Sequence, residues 1–156
     1  MASEKTKGSK KARLSMARLA AVQCVYQWLQ SGADAKDILA YYNDHFTGLK
    51  VDAGEVLPPD RDLLSELLQG VQERFHDLQG MITSHLNKGL QTPESKKDLI
   101  IMSCLYCGAY ELMTHHDLDP PLIISEYLHI TRSFYNDSEV KLVNGVLDSI
   151  KTTLNR

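Results

Sequence analysis

The stretch Ala12–Ser31, ARLSMARLAAVQCVYQWLQS, decides the fold. Its body is apolar at Leu19, Ala20, Ala21, Val22, Cys24, Val25, Tyr26, Trp28 and Leu29, and only Gln23 and Gln27 interrupt it. A helix apolar over most of its circumference belongs inside a helical domain. Its front differs. Arg13 and Arg18 stand there, Lys10 and Lys11 lead into it, and no acidic residue occurs between Lys5 and Gly32. The expectation is a buried helix that carries positive charge to the surface at one end and can meet an anion there.

The charge of the whole chain sharpens this. Residues 1–18 hold six cations against Glu4, a net +5, which leaves −8 for residues 19–156 of an overall −3. A basic arm on an acidic body points to a polyanion met at one place. A charged tail taken alone is more simply a solvated one. At 156 residues the chain is long enough to close one hydrophobic core. Its three cysteines, Cys24, Cys104 and Cys107, sit in apolar helical patterns, as buried thiols of a reducing compartment do. No run is long and apolar enough for a membrane span, and the N-terminus lacks the apolar core of a secretory signal. A cytoplasmic protein without membrane attachment is expected.

Along the chain, residues 1–9 (MASEKTKGS) read as a disordered basic tail and residues 10–156 as a single domain. The first helix is expected from about Lys10 to Gln30, closed by Ser31-Gly32. Asp34 caps a second from Ala35 to Phe46, and Thr47–Pro59 reads as the longest loop. Asp60 opens a helix with Leu63, Leu64, Leu67, Leu68, Val71 and Phe75 on one stripe. Gly80 is expected to bend the chain near a short fourth helix carrying Leu78, Met81, Ile82 and Leu86. Thr92-Pro93-Glu94 starts a fifth, Asp119-Pro120-Pro121 a sixth running to about Phe134, and Glu139–Leu154 forms the last. No segment alternates with period two. The fold class is all-α, with about six or seven helices.

A catalytic constellation is not found. The sequence holds no glycine-rich phosphate loop, nucleophile elbow or metalloprotease helix. Cys104-x-x-Cys107 has redox spacing but lies within a helical apolar stripe and lacks a second ligand pair. His115-His116 would point to different sides of a helix end. No enzyme, cofactor or metal is expected.

Two separated stretches, Ala17-Arg18-x4-Gln23-x2-Tyr26-x-Trp28 and Val143-Asn144-Gly145-Val146-Leu147-Asp148, then carry a resemblance. Ala109-Tyr110-Glu111-Leu112 and Ile124-Ser125-Glu126 fall between them in matching order. The chain from about Lys10 onward resembles the NusB family of bacterial transcription antitermination factors. That resemblance implies two small packed helical subdomains. It also implies binding of boxA-type single-stranded RNA together with the small-subunit ribosomal protein NusE, with other antitermination factors and RNA polymerase reached indirectly. The resulting complex supports processive transcription of rRNA operons.

The resemblance also selects residues. Lys10, Lys11, Arg13, Arg18 and Lys141 are expected on phosphates, with Gln23 reading an exposed base. Phe134 and Leu142 fall where the family offers apolar or aromatic contacts to RNA. Tyr26, Tyr110 and Glu111 are assigned to the protein partner, and Trp28 to the core. Asn144 and Gly145 read as structural, the glycine implying a close helix approach. The sequence departs from the family at several places. The usual arginine run ahead of Ala17-Arg18 is Leu14-Ser15-Met16, the usual glycine after Phe134 is Tyr135, the usual aromatic before Val143 is Leu142, and a common arginine is Tyr106. These departures motivate the alternative, a helical protein–protein interaction module with weak or no RNA binding.

Overall fold

The computed structural model describes the backbone of residues 2–45, 49–50, 56–86 and 95–156, and the side chains of residues 10–45, 58–86 and 95–156. Among them are seven helices and one short antiparallel pair of strands. The helices are α1 (Ala2–Ser31), α2 (Ala35–His45), α3 (Arg61–Glu73), α4 (Phe75–Thr83), α5 (Lys96–Thr114), α6 (Pro120–Phe134) and α7 (Asp137–Thr153). The strands are β1 (Leu49–Lys50) and β2 (Val56–Leu57), which pair Leu49 with Leu57 and Lys50 with Val56. The chain divides into two compact units, Met1–Gln69 and Gly70–Arg156, with the boundary inside α3.

In the first unit α1 supplies the buried surface. Ala17, Ala20, Ala21, Val22, Cys24 and Val25 form one covered face. The small residues among them let neighbours approach the helix axis closely. The helix stops at Gly32, whose positive φ of 72° suits a left-handed cap and whose N–H donates to the Trp28 carbonyl at 2.8 Å. Asp34 then starts α2 by accepting from the Lys36 N–H, and Ile38, Leu39 and Tyr42 turn toward the core. Asp60 has two jobs. Its carboxylate accepts from the Leu63 N–H at 2.9 Å to cap α3, and its own N–H donates to the Arg13 carbonyl at 2.9 Å, fixing α3 to the front of α1.

Several expected boundaries move. Helix α1 begins at Ala2, ahead of the expected start near Lys10. Between them Gly8 is the strongest helix breaker, at about 1 kcal/mol relative to Ala, among alanine, glutamate and lysines that favour the helix. The stretch expected as an unbroken loop holds β1 and β2, which are too short for a period of two to show. Phe46 and the Thr92-Pro93-Glu94 start signal lie outside the described residues. The described α5 starts after Ser95, whose hydroxyl accepts from the Asp98 N–H. The break expected at Gly80 lies at Arg74, where φ and ψ are −104° and 22°. Gly80 sits inside α4 with open space around it.

The second unit is built on α5. Every residue from Ile101 to Leu112 is buried. Leu78 and Ile82 of α4 contribute to the core of this unit, as do Ile123, Tyr127 and Ile130 of α6 and Val143, Leu147 and Ile150 of α7. Tyr106, at the place where the family commonly has an arginine, is 5.2 Å from Phe75 between ring centroids and belongs to this core. Arg156 closes the carboxyl end of α5, its guanidinium donating to the Leu112 and Leu118 carbonyls at 2.9 and 2.7 Å. No described helix is long and apolar enough to cross a membrane.

The close helix approach expected at Gly145 is not there. Gly145 is exposed and a Cβ would meet nothing within 4 Å. The crowded positions are Gly108, where a Cβ would lie 3.0 Å from both Leu147 methyls, and Gly70, where it would overlap the Tyr110 ring. Gly145→Ala is therefore expected to stabilise the protein by about 0.5–1 kcal/mol. Gly108→Ala is expected to destabilise it by about 1–3 kcal/mol. Urea denaturation of both variants checks the pair, and equal signs would contradict this packing.

Candidate nucleic-acid interface

The cations of α1 do not share one environment. Lys10 and Lys11 are exposed, Arg13 is half-buried, and Arg18 is only 5% exposed. Every buried side-chain nitrogen and oxygen among the described residues has a hydrogen-bond partner. Arg18 is therefore a buried guanidinium with its hydrogen bonds satisfied. It was expected at the surface on phosphate, and the structure places it in the interior. A charge this deep is expensive to strip of its partners. Among the described side chains, the surface cations of this helix are Lys10 and Lys11, with part of Arg13.

Further along α1, Gln23 is exposed and Tyr26 is half-buried, and both line a cleft against α2. They thus belong to one place, although the sequence assigned one to RNA and the other to a protein. Trp28, expected in the core, is half-buried. The cleft floor includes Cys24, whose thiol burial pushes up to about 12, so it is a neutral wall at ordinary pH. Burial and then Cys24 also raise the Tyr42 hydroxyl above its usual range.

In the second unit the selected residues separate into a surface group and a core group. Phe134, 40% exposed, ends α6, and Lys141 and Leu142 follow one turn into α7, exposed and half-buried respectively. They flank the turn at Tyr135-Asn136. Tyr135 caps α6 in an extended conformation, its ring 6.2 Å from that of Phe134. The Lys97 ammonium lies 5.9 Å from the Tyr135 ring centroid and 2.7 Å from Glu139. Lys97 and Tyr135 were not selected from sequence. The tyrosine was visible there as a departure from glycine, whereas nothing in the sequence pairs it with Lys97.

Tyr110 and Glu111 form the core group. Tyr110 is 8% exposed and Glu111 fully buried. The Tyr127 hydroxyl donates to one Glu111 oxygen, and the other is 2.9 Å from His115 Nδ1. Both were expected at a partner surface; the structure places Glu111 in the interior of the second unit and Tyr110 over Gly70. His115, half-buried at the end of α5, is the third member of this group.

The model of the NusB family matches residues 15–152. Among curated proteins, the transcription antitermination protein NusB of Rhodopseudomonas palustris (strain BisB18) is 36% identical over 145 residues, covering 92% of this chain and 85% of that protein. The protein of the same name from Novosphingobium aromaticivorans is 32% identical over 145 residues, covering 93% and 96%. Among solved structures, antitermination factors NusB and NusE in complex with dsRNA align with a TM-score of 0.73 at 17% identity, over 91% of this chain and 98% of that one. NusB of T. maritima aligns with a TM-score of 0.67 at 22% identity, over 88% and 89%. At these identities the structural matches establish the shared fold.

The Lys97–Glu139 pair gives a test of local electrostatics. The hydrogen bond from Lys97, followed by that from Ser138, lowers the Glu139 carboxyl from 4.5 to about 2. A depressed carboxylate contributes stability that is fully present above its unfolded value and is lost as pH falls through the folded one. The contribution of Glu139 should therefore fade between about pH 4.5 and 2. Lys97→Met should flatten that limb of the stability–pH curve, lying somewhat below wild type above about pH 4.5 and converging with it near pH 2. Thermal melts across the acid range check this.

Proposed function

The chain belongs to the NusB family, and on that premise we propose that it is a transcription antitermination factor without catalytic activity. It binds boxA-type single-stranded RNA together with ribosomal protein NusE, in the cytoplasm, and supports processive transcription of rRNA operons. Other antitermination factors and RNA polymerase are engaged through that complex. Residues 10–156 act as one functional domain whose two units correspond to the family's subdomains. The observation that carries the reading is the family match, continuous over residues 15–152.

The geometry supports it at two surfaces. Lys10 and Lys11 are exposed at the front of an α1 that carries no acid between Lys5 and Gly32. Phosphates are met there by mobile ammonium groups and a half-buried Arg13. Phe134, Lys141 and Leu142 flank the α6–α7 turn with an exposed ring, a cation and an apolar edge. Unstacked bases of single-stranded RNA use such surfaces. The relatives are named for antitermination, and one of the similar structures contains NusE and RNA.

A specific observation favours the second reading, a protein–protein module. With Leu14-Ser15-Met16 in place of arginines and Arg18 buried, α1 shows few surface cations among its described side chains. Titration with boxA RNA, with and without NusE, across a salt series separates the two. Three to five phosphate contacts on single-stranded RNA give a log–log salt slope of roughly −2 to −3.5. Reversing Lys10 and Lys11 together to glutamate should weaken binding and reduce that slope by at least about 1.4. No measurable RNA binding in either titration would sink the antitermination reading and leave the protein module.

A further inference from the structure

A cleft between α1 and α2 in the first unit is not used by the phosphate contacts. It encloses about 410 Å³, within the ordinary range of small-ligand sites. Its walls are flat and its edges polar. Tyr26 and Tyr41 stand on opposite helices, and Tyr41 is 60% exposed. One face of the Tyr41 ring is already stacked on His45, centroids 4.0 Å apart and planes 19° from parallel, which leaves the other face for a planar ligand. His45 is held in turn by its Nδ1 at 2.9 Å from the Tyr41 carbonyl. The aromatic shelf is therefore preformed.

The hydrogen-bonding groups suit the edge of a base. Gln23 and Gln27 each offer an amide donor and acceptor, and Asp37 offers an acceptor for an exocyclic amino group. Among the described residues no cation lines the cleft, so a phosphate would find no counter-charge from them in it. The counter-charge stands elsewhere on the same helix. Lys10 and Lys11 lie roughly 18–20 Å up α1 from Gln23, at 1.5 Å per residue. Polyanion and cleft can thus be served by one strand, with its backbone at the front of α1 and one neutral base lodged further along. A basic peptide would pair with Asp37 but would meet the exposed Lys10 and Lys11 on the same helix and no acid from Thr6 to Ser31.

We propose that the α1–α2 cleft receives a single unstacked nucleobase of the RNA strand, stacked on Tyr41 and read at its edge by Gln23, Gln27 and Asp37. The inference deepens the RNA-binding reading and rests on it. It is tested with the full chain at low salt and a short boxA-type single-stranded RNA carrying a fluorescent purine analogue at each position in turn.

One position is expected to be quenched on binding. Tyr41→Ala should abolish that quenching and weaken affinity roughly tenfold, the scale of one lost base–aromatic stack, without changing the salt slope. Tyr41→Phe should retain both, and Asp37→Asn should change which base is preferred at the quenched position. Reversing Lys10 and Lys11 should lower affinity and salt slope yet leave the quenching at saturation. Circular dichroism confirms that each variant is folded, and if Tyr41→Ala is not, Asp37→Asn and the analogue series decide.

RNA binding with no quenched position, and with the folded Tyr41 and Asp37 variants equal to wild type, would overturn the base site and leave RNA binding at the lysines standing. An arginine-rich peptide that binds wild type but not Tyr41→Ala, with RNA affinity unchanged, would assign the cleft to a protein and equally overturn it. Absence of all RNA binding by wild type would overturn both.

Discussion

Helix α1 must satisfy two opposed demands, and the first unit follows from how it does so. One face has to disappear into the core: Ala17, Ala20, Ala21 and Val25 are fully covered, with Val22 and Cys24 nearly so. The helix also has to remain cationic. Most charged side chains resist burial because the interior gives back little of the hydration they lose. The chain resolves this by position. Lys10 and Lys11 stay in water at the front, the outer face carries Gln23, Gln27 and Gln30, and Arg18 alone is taken inside with partners. Asp60 then anchors the front through the Arg13 carbonyl, and α2 closes the rear to leave a cleft walled by tyrosines.

The second unit meets a comparable constraint. Helix α5 is buried without interruption from Ile101 to Leu112, and it carries Glu111 into that interior. A buried carboxylate is tolerable when its oxygens are bonded, and here Tyr127 of α6 and His115 at the end of α5 supply the bonds. Gly108 gives Leu147 and Tyr127 the room to come close. A residue that resembles a surface acid in sequence is thus part of what joins α5 to α6. At the turn that follows, the Tyr135 ring lies beside Phe134 and near the Lys97 ammonium.

Most of the fold was legible in the sequence because its signals are local. Helical stripes such as Leu63 to Val71, the Gly32 stop, the Asp60 cap and the Pro120-Pro121 start all act within a few residues and appear where expected. The errors arise where the deciding contact is distant or weak. Gly80 and Gly145 were read as a bend and a close approach, yet both sit in regular helix, since a helix held by packing absorbs one exposed glycine. The two-residue strands are too short to mark a period. Side-chain accessibility was the least legible property. The helical pattern locates Arg18 and Glu111 on α1 and α5, but a sequence does not show that each finds enough partners to be buried. Tyr41 and His45 were missed as a stacked pair because nothing separates them, in sequence, from an ordinary amphipathic helix.

The central claim is that RNA is met by the outer side of α1 and the helix beside it. Amide hydrogen exchange of the full chain, with and without saturating boxA-type single-stranded RNA, tests it most directly. The expected result is slowed exchange in the turns around Lys10–Arg13, along α2 near Tyr41, and at the α6–α7 turn, while the α5 amides stay as they were. Saturation with RNA and no added protection anywhere in α1 or α2 would contradict it.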